Sequence, residues 1–247
     1  MPINAALNMG GHDMNTTHRT VIVTGAAGNL GRAVANAFAA QGANLVLLDL
    51  KREALEAVYG DENAQRMFVA TNLLDQNQVN QAAAAALQRF GRIDVLCNLA
   101  GGFRMGEAVH DSTDGNWDFL FNINSRTLLH TARAIVPHML AAGGGKIINV
   151  GAFAAQRGQA HMGMYAAAKS VVQRLTESMA AELRTKHINV NCVLPSIIDT
   201  PDNRAAMPDT DPANWVAPDA LADVVVFLAS DAARAIHGAA LPVTGLS

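Results

Sequence analysis

The sequence predicts an α/β fold, a single domain built on a doubly wound parallel sheet. Three observations carry that reading. Apolar, β-branched runs alternate with helical patterns along nearly the whole chain, which calls for right-handed βαβ crossovers and a sheet covered on both faces. The first unit, TVIVTGAAGNLGRAVANAFAAQGANLVLLDL from Thr20 to Leu50, reads strand, glycine loop, helix, strand. No Pro/Gly/Ser-rich linker divides the 247 residues.

In chain order, strands are expected at Val21–Val23, Asn44–Leu48, Arg66–Val69, Ile93–Cys97, Lys146–Val150, Ile188–Val193 and Leu241–Val243. After the helix that follows the glycine loop, helices are expected near Arg52–Tyr59, Asp75–Phe90, Asp114–Ala141, Met164–Thr185 and Pro218–Ala229. The five-alanine run Ala82–Ala86 is strong helix propensity rather than a repeat. Residues 1–18 are polar and contain glycine, with neither a basic start nor an apolar run. They read as a loose tail before a domain spanning 19–247.

Composition narrows the function classes. Half the residues are hydrophobic and 16% are charged, ordinary for a soluble globular protein. A net charge of −3 and no basic run argue against a general nucleic-acid or membrane-surface role. No apolar run approaches the ~20 residues of a membrane-spanning helix. Cys97 and Cys192 sit in apolar strand-like runs and read as buried thiols in a reducing cytoplasm. His12, Asp13 and His18 fall in the loose tail, a poor place for a metal site, so no metal is expected.

The glycine loop is the most informative segment. Gly25 permits a tight turn, Gly28 lets backbone approach a pyrophosphate, and Gly31 lets the helix pack closely on the strand. Gly28, Asn29, Leu30 and Gly31 sit where a helix begins, offering free N–H groups and a partial positive charge to phosphates. The second strand run ends on Asp49, which can accept both ribose hydroxyls of NAD and would repel a 2′-phosphate. Strand, loop, helix, strand and acid in this register form a dinucleotide-binding half-unit.

Ligands of such a sheet bind beyond the carboxyl ends of its strands. Four segments there carry chemistry. Asn98-Leu99-Ala100-Gly101-Gly102 has small residues that leave room for a ring or ribose against backbone. Asn124, inside the apolar DFLFNINSRTL, needs a partner: a backbone carbonyl at a helix kink, or a water. Tyr165 and Lys169, four apart on a helix, lie side by side. An adjacent ammonium, with a cationic nicotinamide, stabilises phenolate and draws the phenol pKa down toward a working range. Finally, Pro195-Ser196-Ile197-Ile198-Asp199-Thr200-Pro201 can close over a nicotinamide.

Together, the glycine loop TGAAGNLG, the NLAG segment, Asn124, YAAAK and the Pro195 segment resemble the short-chain dehydrogenase/reductase family over about residues 19–245. The resemblance implies a Rossmann fold of seven parallel strands in the order 3-2-1-4-5-6-7. It implies Tyr165 as general acid/base, Lys169 on the nicotinamide ribose, and Asn124 holding the water of a proton relay. Cofactor contacts then fall on the glycine loop, Asp49, Asn72, Leu73, Asn98, Ala100, Gly101, Pro195, Ile198 and Thr200. Asp49, with no Arg in the glycine loop, resembles NAD-preferring members, while Lys51 and Arg52 keep NADP open. A cytoplasmic homotetramer (or homodimer) with a small-molecule substrate is also implied, the Asn124 and Tyr165 helices bundling against a partner.

Two features depart from the family pattern. The TGxxGxxG spacing is commoner in the longer, epimerase-like branch, whose extra C-terminal substrate domain is missing here. Where the family usually has a catalytic Ser, this chain has Ala152. Losing one oxyanion donor typically costs on the order of 10²–10³ in rate. That leaves impaired chemistry, a donor from elsewhere, or a substrate that needs none. The dihydropteridine reductases resemble this chain in glycine spacing, in Ala at that position, in the Ala100–Phe103 run, and in DTPDNRAAMPDTDPANW from Asp199 to Trp215. That likeness suggests a lid, with Ala152, Phe103, Arg204 and Trp215 at the substrate, although Trp215 reads equally as a core aromatic. Alternatives to a carbonyl/alcohol or quinonoid-ring oxidoreductase are a non-catalytic NAD-binding regulator and an epimerase.

Overall fold

The computed structural model describes residues 18–247. Seven strands form one sheet: β1 (Thr20–Thr24), β2 (Asn44–Asp49), β3 (Arg66–Ala70), β4 (Val95–Asn98), β5 (Gly145–Val150), β6 (Ile188–Pro195) and β7 (Ala240–Val243). Their order is β3-β2-β1-β4-β5-β6-β7, and every neighbouring pair is parallel. The predicted order therefore stands, with strand ends moved by one or two residues. The direction of winding reverses between β1 and β4, whose register aligns Val23 with Cys97. A crevice opens at such a reversal.

Alternating strand residues feed two cores. Val21, Val23, Leu45 and Leu47 join α1 (Asn29–Ala40), α2 (Arg52–Tyr59) and α8 (Pro218–Ala229) on one face through Phe38, Leu55 and Leu221. Ile22, Val46, Leu48 and Leu96 join α3 (Gln76–Phe90), α5 (Thr127–Ala141) and α6 (Gly163–Leu183) on the other through Val79, Ile135 and Leu183. Burial on both faces explains why the strands read as continuous apolar runs rather than alternating ones.

Helix ends follow local chemistry. α2 and α8 occupy the predicted limits; Pro218 starts α8, and Gly60 follows α2. Asp75, expected inside α3, caps it instead, accepting N–H from Asn77 and Gln78. The single helix expected from Asp114 to Ala141 is divided. α4 (Asp114–Phe121) passes through a π-helical turn at Asn122–Arg126 before α5. A short helix the sequence reading did not assign, α7 (Pro201–Ala206), is capped by Thr200, whose side chain accepts from Asn203 N–H at 3.2 Å.

Cys97 and Cys192 are free and buried, and burial raises both thiol pKa values, Cys192 to about 11. No described helix is long and apolar enough to cross a membrane. Among the described residues no group of three or more His, Cys, Asp or Glu is placed to hold a metal ion, and His12 and Asp13 lie outside those residues.

Candidate active site

The glycine loop joins β1 to α1. Gly25 takes a left-handed φ of +63°, and a Cβ there would stand 3.0 Å from Ala100 Cα, so the loops after β1 and β4 pack backbone to backbone. Thr24 fastens that junction, its hydroxyl oxygen accepting from Leu99 and Ala100 N–H at 3.0 and 3.1 Å. A Cβ on Gly31 would lie 2.2 Å from Gly25 O, so only glycine lets α1 start this close to the loop. Gly28 N–H is spent on Gly25 O. Those of Asn29, Leu30 and Gly31 meet no acceptor among the described residues and are left to an anion.

Asp49 ends β2 beside this loop. Its carboxylate accepts from Ala27 N–H at 2.9 Å and Leu50 N–H at 2.8 Å, which fixes both the loop and the acid. Arg52 is committed elsewhere. It pairs with Glu56 at 2.8 Å and Glu62 at 3.2 Å and donates to Phe68 O at 3.2 Å. Leu73 is buried, while Asn72 is exposed and its side chain accepts from Leu74 N–H at 3.0 Å.

Asn98 is the last residue of β4. Its amide donates to Asn149 Oδ1 and accepts from Thr131 Oγ1, both at 2.8 Å, and Asn149 in turn donates to Thr176 Oγ1 at 2.8 Å. The side chain thus serves a polar ladder that ties β4 and β5 to α5 and α6. Residues 51 apart in sequence make this ladder, so no local signal announced it.

Asn124 occupies the π-turn. Its Nδ2 donates to Leu120 O at 3.0 Å and Gly102 O at 2.9 Å, and its Oδ1 accepts from Gly102 N–H at 3.1 Å. The backbone-carbonyl partner is therefore realised, and Gly102 is pinned from both sides. Ser125, unnoticed in the sequence, ties the same turn to α6 by donating to Ala168 O at 2.9 Å. A Cβ on Gly101 would fall 2.9 Å from Asn124 Oδ1 and 3.2 Å from Lys169 Nζ, so Gly101 keeps a cradle open between them. A cavity of about 10 Å³ beside Asn124, Thr127 and Val150 is close to the size of one water.

Tyr165 and Lys169 are one turn apart on α6, but the ammonium does not touch the phenol. Lys169 Nζ donates to Val150 O at 2.9 Å, at the end of β5. Burial dominates both groups: it pushes the phenol up to about 12 and the lysine down to about 8. The sequence expectation pairs the ammonium with a cationic nicotinamide; among the chain's own groups burial sets the direction, and that second positive charge is what can reverse it.

Phe103 packs edge-on against the Tyr165 ring, centroids 4.8 Å apart. Ala152 is 5% exposed, and the hydroxyl of Ser170 on α6 is taken by Ala155 O and Ala166 O. Ile198 bridges to Val216, with Asp199 N–H on Val216 O at 2.8 Å. Pro195 is the last residue of β6 and is buried. Arg204 forms a two-pronged pair with Asp199 at 2.6 and 2.7 Å, binding α7 to the segment before it. The pair lowers the Asp199 pKa. Trp215 is 5% exposed, the burial of a core aromatic.

Comparisons with known proteins agree with this geometry. A family model described as short chain dehydrogenase matches residues 19–211. D-threitol dehydrogenase of Mycolicibacterium smegmatis is 35% identical over 246 residues, 94% of each chain. Cis-4-hydroxycyclohexanecarboxylate dehydrogenase of Sinomonas cyclohexanicum is 34% identical over 237 residues, 92% of this chain and 95% of that one. The crystal structure of carveol dehydrogenase from Mycobacterium avium, in complex with NAD, superposes with a TM-score of 0.84 at 26% identity, covering 94% and 98%. The chain belongs to the short chain dehydrogenase family and is an oxidoreductase.

Proposed function

We propose that this chain is an NAD(H)-dependent enzyme interconverting a small secondary alcohol and its ketone, with Tyr165 as general acid/base. The observation that carries the reading is the cradle at Gly101, bounded by Lys169 Nζ and Asn124 Oδ1 and one helical turn from Tyr165. Bound nicotinamide supplies the hydride acceptor in one direction and the donor in the other. In the oxidising direction the C–H electron pair leaves as hydride, the C=O bond forms, and Tyr165, acting as the phenolate that Lys169 and a cationic nicotinamide would stabilise, takes the hydroxyl proton at Oη. Lys169, held by Val150 O, presents its remaining N–H groups to the cofactor ribose. Asn124 holds Gly102 in place, and the water-sized cavity beside it supports a proton relay toward solvent.

The three free N–H groups of α1 fit a pyrophosphate, and Asp49 fits an unphosphorylated ribose. Arg52 is engaged by Glu56 and Glu62, so a 2′-phosphate would have to compete for it, and Lys51 is exposed. These points favour NAD over NADP. Small alcohols fit because the relatives are named for a polyol and an alicyclic alcohol. A second reading, reduction of a quinonoid ring in the manner of dihydropteridine reductases, is favoured by Ala152 and Phe103. A cytoplasmic homotetramer is also proposed, since α4 and α5 expose Trp117 and Leu129; light scattering reporting a monomer at micromolar concentration would contradict it.

The test follows oxidation of reduced nicotinamide against a panel of ketones and quinonoid dihydropterin. Tyr165→Phe should lower turnover of the best substrate by about 10²–10⁴ while NADH affinity is unchanged. A Phe variant that turns over at the original rate sinks the mechanism, whereas NADH binding with no turnover of any panel substrate by the wild type favours an NAD-binding regulator.

A further inference from the structure

The larger cavity lies at the opposite end of the sheet. The segments leading into β1, β4, β5 and β6 surround a space of about 560 Å³ lined by Arg19, Arg92, Asp94, Lys146, Arg184 and Arg234, among others. It is separated from the glycine loop by the length of β1, roughly 17 Å for five extended residues. Its volume lies in the range of small-molecule sites, about 300–1,000 Å³.

The lining carries five Lys or Arg against two Asp, on a chain whose net charge is −3. Each acid already answers one arginine. Arg92 meets Asp94 at 2.5 Å, and Arg19 meets Asp231 at 2.9 Å. Asp94 is further occupied by Thr20 N–H at 2.8 Å. That leaves Lys146, Arg184 and Arg234 without a carboxylate partner among the described residues. Lys146 donates to Asn189 Oδ1 at 2.8 Å, and Arg234 reaches only the backbone O of Asp231 at 3.4 Å. Burial lowers the Lys146 pKa, Asp231 pulls it back up, and Arg19 and Arg234 each add a smaller downward pull. In addition, His237 Nδ1 is buried without a hydrogen-bond partner in the same lining. Unpaired guanidinium groups are forked donors that match phosphate oxygens.

We propose that this cavity binds a small, multiply charged phosphate anion at a site distinct from the dinucleotide loop. Concave walls and a net negative chain favour a short anion over a long polyanion, which would meet repulsion outside the cavity. The competing role for these cations is to complement the C-terminal ends of α5 and α6, which point to this end of the sheet. That role supports the fold but gives no anion dependence.

Inorganic pyrophosphate serves as the probe, measured calorimetrically at physiological ionic strength with and without saturating NADH. The wild-type protein should bind it in both conditions. Arg184→Gln/Arg234→Gln should bind about tenfold more weakly, the loss of a charge-assisted hydrogen bond. Arg133→Gln, an exposed change outside the lining, should bind as wild type. Pyrophosphate should raise the melting temperature of wild type and of Arg133→Gln more than that of the double variant. Three results overturn the proposal: no saturable binding at millimolar pyrophosphate, binding abolished by NADH, or a melting loss in the double variant equal with and without the anion.

Discussion

Replacing Lys169 with Met should stabilise the fold while removing activity. Lys169 is 6% exposed, and its only hydrogen bond among the described residues is to Val150 O at 2.9 Å. Burial holds its pKa at about 8 against an ordinary 10.5. At 1.36 kcal/mol per pH unit, that gap penalises the charged folded form by roughly 3 kcal/mol at pH 7. Methionine fills a similar volume without the charge but leaves Val150 O unpaired, a loss of about 1 kcal/mol. The net expectation is a gain of about 2 kcal/mol, or about 4–8 °C in melting temperature for a domain of this size. The sign with pH is also fixed. Between about pH 8 and 10.5 the unfolded lysine holds its proton and the folded one releases it, so wild-type stability rises with pH across that window. The variant lacks this rise, so its advantage should be full below about pH 8, vanish near about pH 9.5 and become a deficit of about 1 kcal/mol at about pH 10.5 and above. Urea melts of both proteins at several pH values measure the difference, alongside turnover and NADH affinity, both expected to fall. A variant less stable than wild type at pH 7, by a margin that does not change with pH, refutes the reasoning.

Other perturbations test the rest of the site. Gly31→Ala places a Cβ 2.2 Å from Gly25 O, so α1 must retreat by about 1 Å; this should cost about 1–3 kcal/mol and weaken NADH binding, read by thermal melts and fluorescence titration. Asp49→Ser should shift preference from NADH toward NADPH in the same titration, and wild-type protein favouring NADPH severalfold would contradict the assignment of Asp49. Ala152→Ser should raise turnover of simple ketones by about tenfold or more if a missing oxyanion donor limits the reaction. If the natural substrate is a quinonoid ring that needs no such donor, the same change should leave its turnover unchanged or lower.

What the sequence revealed divides along one physical line. Strands and most helix limits were legible because each is set by neighbours in the chain: β-branched runs buried on both faces, Pro218 opening α8, Gly60 following α2. The glycine loop was legible for the same reason, since Gly25 and Gly31 serve a turn and a close approach within seven residues. The break between α4 and α5 was legible only as the helix kink that Asn124 allowed, not as a π-turn. The π-turn is where Asn124 reaches back to Gly102, a contact 22 residues away that a helical periodicity cannot encode. The side-chain partners of Asn98 were hidden in the same way, because Thr131 and Asn149 lie 33 and 51 residues distant. The Tyr165–Lys169 pair shows a subtler limit. Spacing located both residues and opposite charge suggested a lowered phenol, yet the sign of a pKa shift depends on how much water each group loses, which is a property of the assembled core. α7 stands between the cases: Thr200 and Pro201 are an N-cap and first-turn pair that local rules could have read. Chemistry that needs a group desolvated or held by distant backbone is therefore written in tertiary contacts, and in this chain such contacts converge on Gly101, Asn124 and Lys169.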